Sequence, residues 1–401
     1  MLKYICHLVY DVSYREEVNM KDKTFLMIPG PTPVPESVML EVAKHPIGHR
    51  SSEFSKILSN VYENLKYVFR TKNDVFVYTS SGTGAMCAAL ENLVNEGDYV
   101  LSLVLGNFGN RWVKIAQSRG AIVEKIEVAT GEVIDPEVLR KRLAEDTEKK
   151  IKIVTLTQSE TSTGAANDIK TLCSIIKEHG ALSVVDGVTS VCAMECHPDE
   201  WGIDVLVSGS QKGFMIPPGL AFLTANDRAW KVYEECKYPS FYWDWKAYKK
   251  SVGEDSTPFT PAVNLITGLD KALEMIKAEG IDEMNARHKR HCLALRKAVR
   301  AIGLELVVKE DKNASCAITS IYPPEGISVP DIRKVMKSDF DIVVANGQNA
   351  LKDKIFRMGT LGFVCDRDLI SAVGALEATL YKLGYKFELG KGVATVIENL
   401  K

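Results

Sequence analysis

DVFVYTSSGTGAMCAALENLV, residues 74–94, changes character halfway. Residues 75–78 are an unbroken apolar run, as in a strand buried on both faces. Small residues at 80–82 turn the chain, and from Gly82 onward the stretch reads as a helix. A strand passing straight into a helix is the repeating unit of an α/β fold, and the same alternation extends to about residue 225. Strands are expected at 98–104, 121–128, 151–158, 181–187, 203–210 and 219–226. Helices are expected at 109–120, at 135–145 with Asp135 as cap and Pro136 in the first turn, and at 168–180 closed by Gly180. Val/Ile/Leu-rich strands between helices predict a mostly parallel sheet covered on both faces.

Beyond residue 260 the rhythm changes. Two long amphipathic helices, 262–280 and 281–303, precede short strands mixed with helices, which predicts a smaller α+β domain. The expected division is an N-terminal extension (1–22), a large domain (23–279) and a small C-terminal domain (280–401). With 401 residues, 46% of them hydrophobic, the chain can build two cores. A formal net charge of -2 argues against nucleic acid or an anionic membrane as the main partner. The apolar run near the N-terminus is broken by His7 and Asp11 and lacks a small-residue cleavage site, and no stretch approaches the roughly 20 apolar residues of a membrane span. Nine cysteines are scattered, and Cys192, Cys196 and His197 lack the second ligand pair of a zinc site. No metal, free thiols and a cytoplasmic setting are expected.

In an α/β fold, ligands sit beyond the carboxyl ends of the strands. After the first strand comes SSGTGAM (80–86), whose free backbone N–H groups at a helix start could take a phosphate; a plain strand-to-helix turn would use the same residues. After 181–185 comes Asp186, either a functional carboxylate or a local cap. After 203–207 comes SGSQK with Lys212, then GFMIPPG, which offers an ammonium little water. A phosphate cradle, a carboxylate and a poorly solvated lysine at one sheet edge together suit pyridoxal phosphate. The carboxylate would keep the pyridine nitrogen protonated, and the desolvated amine would be the nucleophile.

These segments, with IPGPTPVP (28–35) and TQSETSTG (157–164), resemble the class V, fold-type I pyridoxal-phosphate aminotransferases, and among them the alanine–glyoxylate and serine–glyoxylate group. The resemblance runs from about Met27 to the C-terminal helix. It implies Lys212 as the lysine that carries the cofactor and Asp186 as the partner of the pyridine nitrogen. It implies Thr83, Gly84 and Ala85 as the phosphate loop, Gln211 as a phosphate-side hydrogen bond, and Thr161 as the hydroxyl near the ring oxygen. Phe108 stands where relatives stack an aromatic, often Trp, on the ring. Arg357 matches the substrate-carboxylate arginine, and Gly30 lies at the substrate mouth. Thr260 matches a residue that reaches the phosphate of the neighbouring subunit in a homodimer. Thr257 stands where some members use Tyr for the same task.

The implied reaction is ping-pong transfer of an amino group from a small amino acid (alanine or serine) to a small 2-oxo acid (glyoxylate or pyruvate). Two other readings compete. A lyase or desulfurase of the same fold would carry His before the lysine and a reactive Cys on a mobile loop; here Gln211 precedes Lys212, and Cys316 and Cys365 are expected in or beside apolar strands. A non-catalytic, hydrogenase-associated subunit would have no need of Lys212, Asp186 and Arg357. Outside the motifs, His288 and His291 are expected to be solvated on a charged helix. Trp243 and Trp245 could wall the site or form an aromatic cluster. His49 and Arg50 are candidate rim residues.

Overall fold

The computed structural model describes residues 24–401, so the expected extension at 1–22 lies outside the described residues. The chain begins with β1 (Phe25–Met27) and then forms the large-sheet strands β2 (Val75–Ser80), β3 (Tyr99–Val104), β4 (Ile122–Glu127) and β5 (Ile151–Thr157). A two-stranded hairpin follows, β6 (Ser159–Glu160) and β7 (Ala165–Ala166). The large sheet is completed by β8 (Leu182–Asp186), β9 (Val205–Gly209) and β10 (Gly219–Ala225). The C-terminal strands are β11 (Ile318–Ile321), β12 (Ile342–Asn346) and β13 (Phe356–Gly359).

Seven strands run in the order β2-β10-β9-β8-β5-β3-β4, all parallel except β10, which is antiparallel to both its neighbours. The strands alternate between two cores. Leu206, Val185 and Leu156 face one side, and Val205, Val207 and Val184 face the other. This is why these strands read as continuous apolar runs. The helix signals also hold: Asp135 accepts the Glu137 N–H at 2.9 Å, and Gly180 ends its helix at φ 104.

The second sheet, β1-β12-β13-β11, packs on the helices Ile281–Ala301, Val329–Phe340 and Asp366–Lys382. Its edge strand corrects the expected division. Phe25–Met27 pairs in parallel with Ile342, Val343 and Val344 of β12, so the start of the segment assigned to the large domain is built into the small one. A three-residue apolar run has no period of its own to announce where it docks.

Among the described residues no helix is long and apolar enough to cross a membrane. The histidines are a second correction. His288 and His291 are fully buried, because their helix is sandwiched against the helices Asp366–Lys382 and Lys391–Asn399. His288 Nε2 accepts the Gly362 N–H at 2.9 Å, so its Nδ1 carries the proton and donates to the Met284 carbonyl at 2.7 Å. Burial pushes His288 down to about 3. Trp245 is core as well, its Nε1 donating to the Ala88 carbonyl at 3.1 Å and its ring stacked on Tyr233.

Candidate active site

The carboxyl ends of β2, β3, β5, β8 and β9 share one edge of the large sheet, and the small sheet closes over it. Between them lies a cavity of about 290 Å³ lined by Gly30, Thr83, Phe108, Thr161, Asp186, Gln211, Lys212 and Arg357. Ser81, Gly82 and Arg111 line it as well.

Lys212 is 8% exposed, and its Nζ donates to the Pro29 carbonyl. The loop behind it, Phe214, Met215 and Ile216, is buried apolar core. Desolvation lowers the ammonium to about 8, with Arg357 and Arg111 acting in the same direction and Asp186 opposing. Gly30 makes the approach possible. Its φ is +126, and a Cβ there would lie 2.7 Å from Lys212 Cδ and Nζ.

Asp186 ends β8 at 3% exposure and accepts the Val188 N–H at 2.8 Å. Burial raises it to about 6; the Val188 N–H, Arg111 and Lys212 pull the other way. The protein thus holds a carboxylate whose charge it only partly offsets, the setting in which a cationic ring nitrogen is well received. One consequence can be measured on the apoprotein. A raised folded-state pKa favours the protonated acid, so this group destabilises the fold above pH 6, and the effect fades toward 3.8. Asp186→Asn is therefore expected to stabilise the apoprotein to urea by about 3 kcal/mol at pH 8 and by only ~1 kcal/mol at pH 4.5. The same variant should lose most transaminase activity. A pH-independent gain, or none, would count against this account.

The turn after β2 is tight. A Cβ on Gly84 would come within 1.9 Å of Ser80 Oγ and 2.9 Å of Ser80 Cβ, so any larger residue would have to displace Ser80. Of the expected phosphate loop, Thr83 lines the cavity, whereas Ala85 points into the core beneath it. The first-turn N–H groups of the helix Gly82–Glu91 open at this point, suited to an anion. Gln211 lines the cavity as well, and its side-chain N–H₂ is the donor it could offer an anion.

Arg357, on β13, is 4% exposed. Its Nε donates to the Asn346 carbonyl and its Nη1 to the Thr161 carbonyl, each at 2.8 Å. Burial lowers it to about 10, well above neutrality, so it stays cationic. Thr161 Oγ1 pairs with Thr189 Oγ1 at 2.8 Å.

Arg111 escaped the sequence reading. Its guanidinium lies 4.6 Å from the centroid of the Phe108 ring, and its Nη1 donates to Thr83 Oγ1 at 2.8 Å. It stands three residues after Phe108 on the same helix, a spacing that puts both on one face.

Several candidates lie elsewhere. Thr260 is exposed and Thr257 is buried, and neither lines the cavity. Arg50 donates to Ser256 Oγ and to the Thr257 carbonyl, away from the site. Cys365 is not beside an apolar strand but at the exposed N-cap of the helix Asp366–Lys382. Burial pushes Cys316 up to about 11, and neither thiol reaches the cavity.

An anion cradle, an incompletely compensated carboxylate and a lysine drawn toward neutrality, set on this sheet, serve one cofactor well. Fold and site define a pyridoxal-phosphate enzyme of fold type I. The family model for class-V aminotransferases matches residues 24–364, and the chain belongs to that family; its cofactor is pyridoxal 5′-phosphate. A relative from Anabaena cylindrica, named as the soluble hydrogenase 42 kDa subunit, is 47% identical over 377 residues, covering 94% of this chain and 98% of its own. The L-aspartate–glyoxylate aminotransferase of Paracoccus denitrificans is 34% identical over 385 residues, covering 95% and 97%. The solved ureidoglycine–glyoxylate aminotransferase of Bacillus subtilis superposes with a TM-score of 0.88 at 28% identity, covering 93% of this chain and 97% of that one.

Proposed function

We propose that this aminotransferase moves an amino group from a small amino acid, alanine or serine, to a small 2-oxo acid, glyoxylate or pyruvate, by a ping-pong mechanism. The observation that carries the reading is the convergence of Lys212, Asp186 and Arg357 on one cavity of about 290 Å³. When bound, the cofactor supplies the electron sink for the carbon that loses its proton.

The chain's residues divide the remaining work. Ser81, Gly82 and Thr83, with Gln211, hold the phosphate. Asp186 holds the ring nitrogen in its protonated form, and Phe108 gives the ring a flat support. Thr161, which lines the cavity, would offer its hydroxyl to the ring oxygen. Arg357 grips the carboxylate common to every amino acid and 2-oxo acid in this chemistry. Lys212 would be the group that carries the proton to and from the reacting carbon.

A homodimer completes the reading. Thr260 is exposed and does not line its own cavity, which leaves it free to serve a second subunit's phosphate. Thr260→Ala is expected to raise the cofactor dissociation constant by about tenfold, one lost phosphate hydrogen bond, with little change in melting temperature. A fully active monomer in sedimentation would refute it.

The hydrogenase-subunit names of two relatives, each 47% identical, give the non-catalytic reading its weight. Against it stands a site with its lysine, aspartate and arginine all in place. A half-reaction screen separates the two. Each amino acid is added to the coloured, cofactor-loaded protein, and loss of visible absorbance is followed together with the 2-oxo acid formed. Response to alanine or serine supports the proposal; response only to a dicarboxylic donor would move the assignment, and no response to any amino acid would favour a structural subunit.

A further inference from the structure

We propose that Glu160, which does not itself line the cavity, is a positioning residue that fixes both Phe108 and Arg357 for transamination. The inference rests on reading Phe108 as the support of the cofactor ring.

Glu160 ends β6, is fully buried, and has no cation in salt-bridge contact among the described residues. Its carboxylate instead collects N–H and O–H donors. Oε2 accepts the backbone N–H of Phe108 and of Gly109, each at 3.1 Å. Oε1 accepts the Ser162 N–H at 3.1 Å and the Ser162 hydroxyl. The Phe108 and Gly109 donors belong to the first turn of the helix Asn107–Ser118, which otherwise leaves them unpaired. The helix has no capping side chain of its own: its N-cap is Gly106, where a Cβ would lie 2.4 Å from Ser162 Oγ and 2.9 Å from Glu160 Cδ. The glycine therefore makes room for a cap delivered from the hairpin, and an anion at a helix N-terminus is favourably placed.

The consequence reaches the site from two directions. Phe108 is held by its own backbone N–H, so the place from which its ring enters the cavity is set by the hairpin. The next residue along that hairpin, Thr161, offers its carbonyl to Arg357 Nη1. A single carboxylate thus organises the backbone that carries the flat wall and the carbonyl that orients the guanidinium.

Glu160→Gln keeps the shape but turns an amide N–H₂ toward donors that have nothing to give it. With the cofactor-loaded enzyme, kcat/KM is expected to fall by at least about tenfold for both the amino acid and the 2-oxo acid. The visible circular dichroism of the bound cofactor should weaken, which a role in folding alone would not cause. In a Phe108→Ala background the further effect of Glu160→Gln on that dichroism should shrink to within about twofold, because the two act through the same contact. Glu160→Asp keeps the charge but is too short to reach both helix donors, and serves if the glutamine variant does not fold; about threefold losses in the same direction are expected. Wild-type kinetics and dichroism in the folded variants, or fully multiplicative effects in the double variant, would overturn the proposal. A Phe108→Ala enzyme indistinguishable from wild type would be a separate failure, removing the ring support itself.

Discussion

Lys212→Ala is expected to lose transamination by about 10³-fold or more, ~4 kcal/mol in the transition state, while the protein keeps its fold and its cofactor site. Lys212 is the amine on the cavity, and its surroundings keep water out: Phe214, Met215 and Ile216 lie behind it and Gly30 in front. A group lowered to about 8 can both take up and release a proton near physiological pH, which an ordinary exposed lysine does poorly. The alanine variant leaves the turn at Gly82 and Gly84, Asp186 and Arg357 untouched, so cofactor should still be retained through its phosphate and ring nitrogen. The check is steady-state 2-oxo acid formation by the purified, cofactor-loaded variant, with far-ultraviolet circular dichroism to confirm the fold. A rate close to wild type would remove Lys212 from the mechanism.

Arg357→Lys is expected to lower kcat/KM for amino acids and 2-oxo acids alike by about 2–4 kcal/mol, roughly 30- to 1000-fold. Two of the arginine's donors are committed to the Asn346 and Thr161 carbonyls, which lock the plane of the guanidinium and leave its other N–H groups for a carboxylate. A lysine has one nitrogen for all three partners. Burial already lowers the arginine from 12.5 to about 10. A lysine starts about two units lower, so the same burial would carry it toward neutrality. The residual kcat/KM of the variant should therefore fall further as pH rises from 6 to 9, a decline that Arg357 itself would not produce. Normal kinetics for the variant with every carboxylate substrate would show that another group does the holding.

What the sequence could reveal followed from distance along the chain. Asp186 and Lys212 are legible because one ends and the other closely follows a strand whose apolar run is unmistakable, and an α/β sheet brings such ends to one edge. Arg357 came through the resemblance, since KIFRMGTLG alone reads as an ordinary strand. Glu160 was invisible because its meaning lies in donors some fifty residues earlier. The burial of His288 was available but masked. Met284, His288, His291, Leu295 and Ala298 recur at spacings of three and four and form one buried face, yet the arginines and lysines between them dominate the composition. The helices Glu36–Val42, Ser52–Phe69, Asp227–Glu234 and Trp245–Val252 were not expected from the sequence.

The edge strand β1 has a mechanical meaning. It is anchored in the small sheet, yet a few residues later the same chain lies against the lysine of the large domain. The Pro29 carbonyl receives Lys212 Nζ, Thr32 Oγ1 donates to the Lys212 carbonyl at 3.0 Å, and the Thr32 N–H donates to the Gln211 carbonyl at 3.1 Å. The sheet that carries Arg357 is therefore tethered by a short strap to Lys212. A shift of the small sheet would thus be felt at Lys212 through the backbone itself, without any side chain to relay it.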